Sequence, residues 1–106
     1  LGNALKLQLT GEPIDAAEAL RIGLVSEVTA LPDLIPTAER YARAIASNSP
    51  LGVRSAKESM LRNLGHALED ALRFENILFS SLTQTEDYKE GPAAFAEKRP
   101  PVWKGR

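Results

Sequence analysis

The sequence predicts an all-α chain of five to six helices with one short extended segment. Apolar residues recur at i, i+3, i+4 and i+7 in several stretches, the period of a helix with one buried stripe. Glycine, proline and small polar residues fall where such helices would begin and end. A single segment, Leu24–Val28, alternates and carries β-branched residues, so nothing supplies a full sheet.

Ala4, Leu5, Leu7 and Leu9 form the first apolar stretch. None of them is β-branched or aromatic, so the stretch reads as the last turns of a helix stopped by Gly11. Asp15, with Glu18 three residues later, is a capping-box arrangement in front of a helix over Ala16–Ile22. In that arrangement the Asp15 carboxylate accepts from a first-turn amide and Glu18 reaches back to the Asp15 amide. Ile14, just outside the cap, is placed to staple onto Ala19, and Gly23 ends the helix. Leu31-Pro32-Asp33 is a turn. Leu34, Ala38, Tyr41, Ala42, Ile45 and Ala46 then lie on one helical stripe, with Pro36 tolerated in the first turn.

Ser49 is the expected N-cap of the next helix, with Pro50 at its first position. Val53, Ala56, Met60 and Leu64 mark its apolar side and Gly65 its end. Leu68, Ala71, Leu72, Leu78, Phe79 and Leu82 share a face of the following helix. Glu75 falls on that face and is expected to be buried only with a partner. Thr85-Glu86-Asp87 starts a last helix that runs to about Lys98, with acids at the positive end of its dipole. Pro92 inside it is expected to kink it or to cost a hydrogen bond. The tail from Pro100 to Arg106 is expected to be extended.

Composition narrows the functional classes. The 106 residues carry 13 basic and 14 acidic side chains, a formal net charge of −1. That balance gives no electrostatic footprint for nucleic acid and no polybasic patch for a membrane. No apolar run approaches the ~20 residues that a membrane-spanning helix needs. Cysteine is absent, which excludes disulfides and thiolate metal sites and fits a reducing compartment. A chain of this size buries only about 60–70% of the surface that its unfolded form exposes, so partner chains are expected to matter.

Few residue patterns of the chain are of types that carry chemistry. His66 is the one histidine, placed in a connection between helices, which leaves no Cys–His pair and no His-based metal site. No GxGxxG or GKS/GKT run exists to cradle a phosphate. Glu12, Asp15, Glu18, Glu86 and Asp87 read as caps and first-turn acids rather than as an acid/base pair. The C-terminal stretch alone has the look of a ligand site. Lys98, Arg99, Lys104 and Arg106 are interleaved with Phe95 and Trp103, which suits a phosphate-bearing ligand with a flat ring. A solvated basic helix end is the plainer alternative.

Three runs carry a resemblance. The first is Leu9-Thr10-Gly11, followed by Ile14-Asp15-Ala16-Ala17-Glu18-Ala19 and Gly23-Leu24-Val25. The second is Asn48-Ser49-Pro50-Leu51 with Lys57. The third is Thr85-Glu86-Asp87-Tyr88-Lys89-Glu90-Gly91, then Ala94-Phe95 and Glu97-Lys98-Arg99-Pro100. In this order the runs resemble the C-terminal helical region of the enoyl-CoA hydratase/isomerase (crotonase) family, over essentially the whole chain. The resemblance implies the helical part of an α/β spiral fold. Residues 1–23 would be two short helices that follow the catalytic core, and 24–106 a helical oligomerisation region.

It further implies a parent enzyme that acts on coenzyme A thioesters, hydration of 2-enoyl-CoA in fatty acid metabolism being the commonest activity. No tightly bound cofactor and no metal are implied. The implied partners are the enzyme's own catalytic core and the other subunits of a trimer or hexamer, in the cytoplasm. No catalytic residue carries over, and a chain without the core is expected to be inactive by itself. The residues that match CoA-proximal positions are Phe79, beside the adenine, and Lys98, paired with a phosphate of CoA held by a neighbouring subunit. A helical oligomerisation module without chemistry is the alternative.

Overall fold

The structure, a computed structural model, describes residues 1–106. It contains six α-helices and one 3₁₀ turn, and no strand. The chain divides into two compact units, Leu1–Glu39 and Arg40–Arg106.

The first unit holds α1 (Gly2–Thr10), α2 (Ala16–Arg21) and the 3₁₀ turn Leu31–Asp33; the boundary between the units falls within α3 (Leu34–Ala46). α1 stops at Gly11, which takes the left-handed conformation at φ 64° and donates its amide to the Leu7 carbonyl at 3.1 Å. At the start of α2 the Glu18 amide donates to Asp15 Oδ1 at 2.8 Å, as the cap requires. The return half of the capping box is absent. The Glu18 carboxylate turns instead to Arg21, one turn along, with two hydrogen bonds of 2.6 Å. A guanidinium fork offers a charged, bidentate partner, and the lone Asp15 amide does not compete with it.

α2 ends in a Schellman motif: Gly23 donates to Leu20 O at 3.1 Å and Leu24 to Ala19 O at 2.9 Å. The segment Leu24–Val28 pairs with no strand; its first amides are engaged by the helix end.

The second unit holds α4 (Pro50–Arg62), α5 (Leu68–Leu82), α6 (Glu86–Glu97) and the tail. α4 packs on α5. At the turn between them Asn63 Nδ2 donates to Ala71 O at 3.3 Å, and the Arg62 guanidinium lies 5.7 Å from the centre of the Phe74 ring. Both expected caps form: Gly52 N donates to Ser49 Oγ at 3.3 Å and Tyr88 N to Thr85 Oγ1 at 3.1 Å. α6 continues through Gly91 and Pro92. Both residues disfavour a helix interior, and Pro92 has no amide to donate to Tyr88 O. Tertiary contacts must therefore hold α6 together.

Those contacts come from the tail, which folds back along α6. Asp87 is 3% exposed, and its carboxylate organises the return. Oδ1 accepts from the amides of Lys104 at 2.7 Å and Gly105 at 3.1 Å. Oδ2 accepts from the Ser49 hydroxyl at 3.1 Å, which brings in the α4 cap, and from Gly105 N at 3.2 Å. The α6 amides of Glu86 and Asp87 donate in turn to Arg106 O. Trp103 donates its indole N–H to Ser47 O at 2.8 Å, and its ring lies over Gly91, where an added Cβ would sit 3.5 Å away. The apolar side contributes much less: Ala19 and Ala94 are the only buried hydrophobic residues.

These bonds lead to two stability outcomes. Asp15→Ala is expected to destabilise the protein by about 1 kcal/mol through the lost cap, read as a lower urea midpoint; an unchanged midpoint contradicts the cap. Asp87→Ala removes the buried acceptor of two tail amides and a hydroxyl and is expected to cost about 2–4 kcal/mol. Amide exchange at Lys104 and Gly105 should accelerate with it, and protection equal to the parent protein's would refute the clasp.

Candidate functional site

The basic and aromatic residues around the C-terminal end of α6 are the sequence's one suggestion of a ligand site. The structure separates them into engaged and unengaged groups. Arg99 forms a fork with Glu90: Nη1 donates to Oε1 at 2.5 Å and Nη2 to Oε2 at 3.0 Å. Its Nε donates to Glu97 Oε2 at 2.6 Å. Lys104 and Arg106 both pair with Glu86, at 2.7 and 3.0 Å. Trp103 is committed to Ser47 and Gly91. The expectation that the four cations and Trp103 together face a ligand is therefore corrected. Glu86 and Glu90, one turn apart on α6, reach tail residues nine to twenty positions away, which local spacing does not reveal.

Lys98 is the exception. It has no ion pair or side-chain hydrogen bond and is exposed. It is also the only non-glycine residue with positive φ, at φ 53° and ψ 38°. Its amide donates to Phe95 O at 3.2 Å and the next amide, of Arg99, to Ala94 O at 3.0 Å. That is a Schellman motif whose left-handed position glycine usually fills. A lysine there costs about 1 kcal/mol or more, and strain of this kind concentrates at functional sites.

Phe79 lies elsewhere. It is 53% exposed on α5 and meets Tyr88 edge to face, with ring centres 6.0 Å apart. It lines a groove of about 160 Å³ with Gly52, Ser55, Leu78 and Leu82. Tyr88 sits in the first turn of α6 and Lys98 just beyond its last. From Tyr88 to Glu97 the helix rises by roughly 14 Å, so Phe79 and Lys98 do not converge on one pocket within the chain. Phe95, three residues before Lys98, is 87% exposed and lies at the same helix end. Its position in an amphipathic pattern offers no reason for such exposure.

Other expectations resolve simply. Glu75 lines the groove beside Phe79 and is exposed, without a partner in the chain. A solvated carboxylate needs no partner. His66 is exposed in the turn between α4 and α5, with its amide on Asn63 O at 3.2 Å. No three histidine, aspartate or glutamate side chains group as metal ligands, and no helix is long and apolar enough to cross a membrane.

The site's electrostatics reflect the pairing. The Arg99 guanidinium, then the Val102 amide at 2.7 Å, hold the Glu90 carboxyl down to about 2. The pairing raises Arg99 further above its already basic value. Glu86 is lowered by Lys104 and Arg106, and Glu18 by Arg21. The folded chain thus binds fewer protons than the unfolded chain between about pH 2 and the ordinary glutamate value of about 4.3. Stability should be flat above about pH 5 and fall on acidification through that window. In Glu90→Gln the acid slope is expected to be shallower, in proportion to the lost group, in a urea series run from pH 2.5 to 7. An identical slope would show that Glu90 is not clamped.

Comparison with known proteins gives one consistent picture. The family model for enoyl-CoA hydratase/isomerase matches residues 2–106. A probable enoyl-CoA hydratase of Rhizobium meliloti is 50% identical over 103 residues, covering 97% of this chain and 40% of that protein. The (E)-benzylidenesuccinyl-CoA hydratase of Thauera aromatica is 43% identical over 102 residues, covering 96% of this chain and 40% of that protein. Among solved structures, the enoyl-CoA hydratase of Bacillus anthracis superposes with a TM-score of 0.95 at 39% identity, covering 100% of this chain and 41% of that one. The chain therefore spans about 40% of the length of the curated relatives it matches.

Proposed function

The chain belongs to the enoyl-CoA hydratase/isomerase (crotonase) family, and from that premise we propose that it is the C-terminal helical region of an enzyme that adds water to 2-enoyl-CoA thioesters. In this reading Lys98 pairs with a phosphate of coenzyme A held by a neighbouring subunit, and Phe79 packs beside the adenine. The observation that carries it is the state of Lys98: an exposed ammonium, unpaired among three paired cations, held in a strained backbone conformation. Phe95 shares that helix end and is a further aromatic surface for the nucleotide.

Hydration needs an oxyanion hole for the thioester carbonyl and acid/base groups at the double bond. The carboxylates of α6 do not suit that work, because Glu86, Asp87 and Glu90 are all bound by cations or amides. The contribution of this region is binding energy far from the reacting carbons. Such energy lowers the dissociation constant of the whole thioester and helps to offset the cost of orienting it. The exposed apolar side chains of α5, among them Leu68 and Ile77, support burial against the enzyme's own core and the other subunits of a trimer or hexamer. No tightly bound cofactor belongs to the reading; the CoA thioester is substrate. The cysteine-free composition supports a reducing compartment, and we place the enzyme in the cytoplasm.

Lys98→Ala in the intact enzyme is expected to raise the dissociation constant of a CoA ester about tenfold by titration calorimetry, with circular dichroism unchanged. An unchanged constant would remove Lys98 from the site and favour the reading of these helices as an assembly module without ligand contact.

A further inference from the structure

We propose that Glu90 is the positioning residue for Lys98: by clamping Arg99, the next residue in the chain, it fixes Lys98 in its left-handed conformation and keeps its ammonium unpaired. The inference rests on the reading of Lys98 as a phosphate contact and adds the device that makes it one.

Three observations carry it. First, the conformation of Lys98 is unfavourable for a residue with a Cβ, so something must over-determine it. Two backbone hydrogen bonds of the Schellman motif do part of this. The rest comes from the residues on the C-terminal side of Lys98. Arg99 is held from both sides, by Glu90 through two nitrogens and by Glu97 through the third. Val102 N donates to the same Glu90 oxygen at 2.7 Å. This stretch of chain is thereby tied to the body of α6, one side chain gripping two points of it. Pro100 and Pro101 add stiffness between those points.

Second, the clamp decides which cation is available. Glu97 adjoins Lys98 in sequence and Glu90 lies two turns back on α6; both are engaged by Arg99. Glu86 is engaged by Lys104 and Arg106. Glu86, Glu90 and Glu97 thus each have a cation other than Lys98, and Asp87 is filled by amides and a hydroxyl. Third, Glu90 is half-buried under the tail, where the guanidinium covers it, so it acts through Arg99 rather than on a ligand.

The sign of the effect separates positioning from simple charge. Glu90→Gln removes a negative charge near a phosphate site, and electrostatics alone would tighten binding. Positioning demands the reverse. If loss of the clamp leaves Lys98 in its competent conformation about one-ninth of the time, and the rest binds about tenfold more weakly, the apparent dissociation constant rises about fivefold.

The test is a double-mutant cycle in the intact enzyme, with hexanoyl-CoA as the probe in titration calorimetry and the melting temperature followed in parallel. Glu90→Gln is expected to weaken binding about fivefold, and to weaken it no further in a Lys98→Ala background. Arg99→Lys keeps the charge but loses the fork, and should reproduce both results if Glu90→Gln folds poorly. Tighter or unchanged binding in Glu90→Gln, while Lys98→Ala alone weakens it, overturns the positioning role. So does an equal loss with and without Lys98, which marks general destabilisation. No effect of Lys98→Ala alone overturns the phosphate contact, and the positioning role falls with it.

Discussion

The second unit depends on one buried carboxylate. Asp87 sits at the start of α6 and accepts from two tail amides and from the hydroxyl that caps α4. A carboxylate removed from water is costly unless its lone pairs are filled, and here backbone amides and a hydroxyl fill them. That requirement ties three pieces of chain that are distant in sequence. Once Asp87 holds Lys104 and Gly105, the tail must lie along α6, and Trp103 is brought onto Gly91 with its indole on Ser47. Glu90 and Glu86 then meet the tail's cations in passing. The glycine and proline inside α6, which would weaken an isolated helix, are tolerated because the tail braces it.

The polar clasp matters because apolar burial is so slight. Two alanines are the buried hydrophobic residues, while Leu68, Ile77, Phe79 and Phe95 are mostly exposed. A helix in water draws most of its stability from an amphipathic face packed on something else. The stripes are present and only partly covered, by α4 on α5 and by the tail on α6. The chain spans about 40% of the length of the matched relatives.

The same clasp selects the candidate ligand contact. Four cations lie between Lys98 and Arg106, and the distribution of carboxylates on α6 engages three of them. A basic cluster is thereby reduced to a single ammonium on a helix end, in a conformation that only surrounding structure can hold. Charge is concentrated at one point instead of being spread over a flexible tail.

The sequence by itself determined the local structure. The caps at Asp15, Ser49 and Thr85 and the stops at Gly11 and Gly23 depend on bonds within four residues, so the residue types suffice to place them. The helical class and the family were legible for the same reason, as ordered runs of residues. Tertiary structure decided everything that hangs on distant pairing. Asp87 read as a first-turn acid is in fact the tail's anchor, and Trp103 read beside the ligand residues is part of the packing. Glu75 stayed in solvent. Which of Lys98, Arg99, Lys104 and Arg106 keeps a free charge could not be read from composition. A salt bridge depends on distance in space, and the fold alone sets that distance.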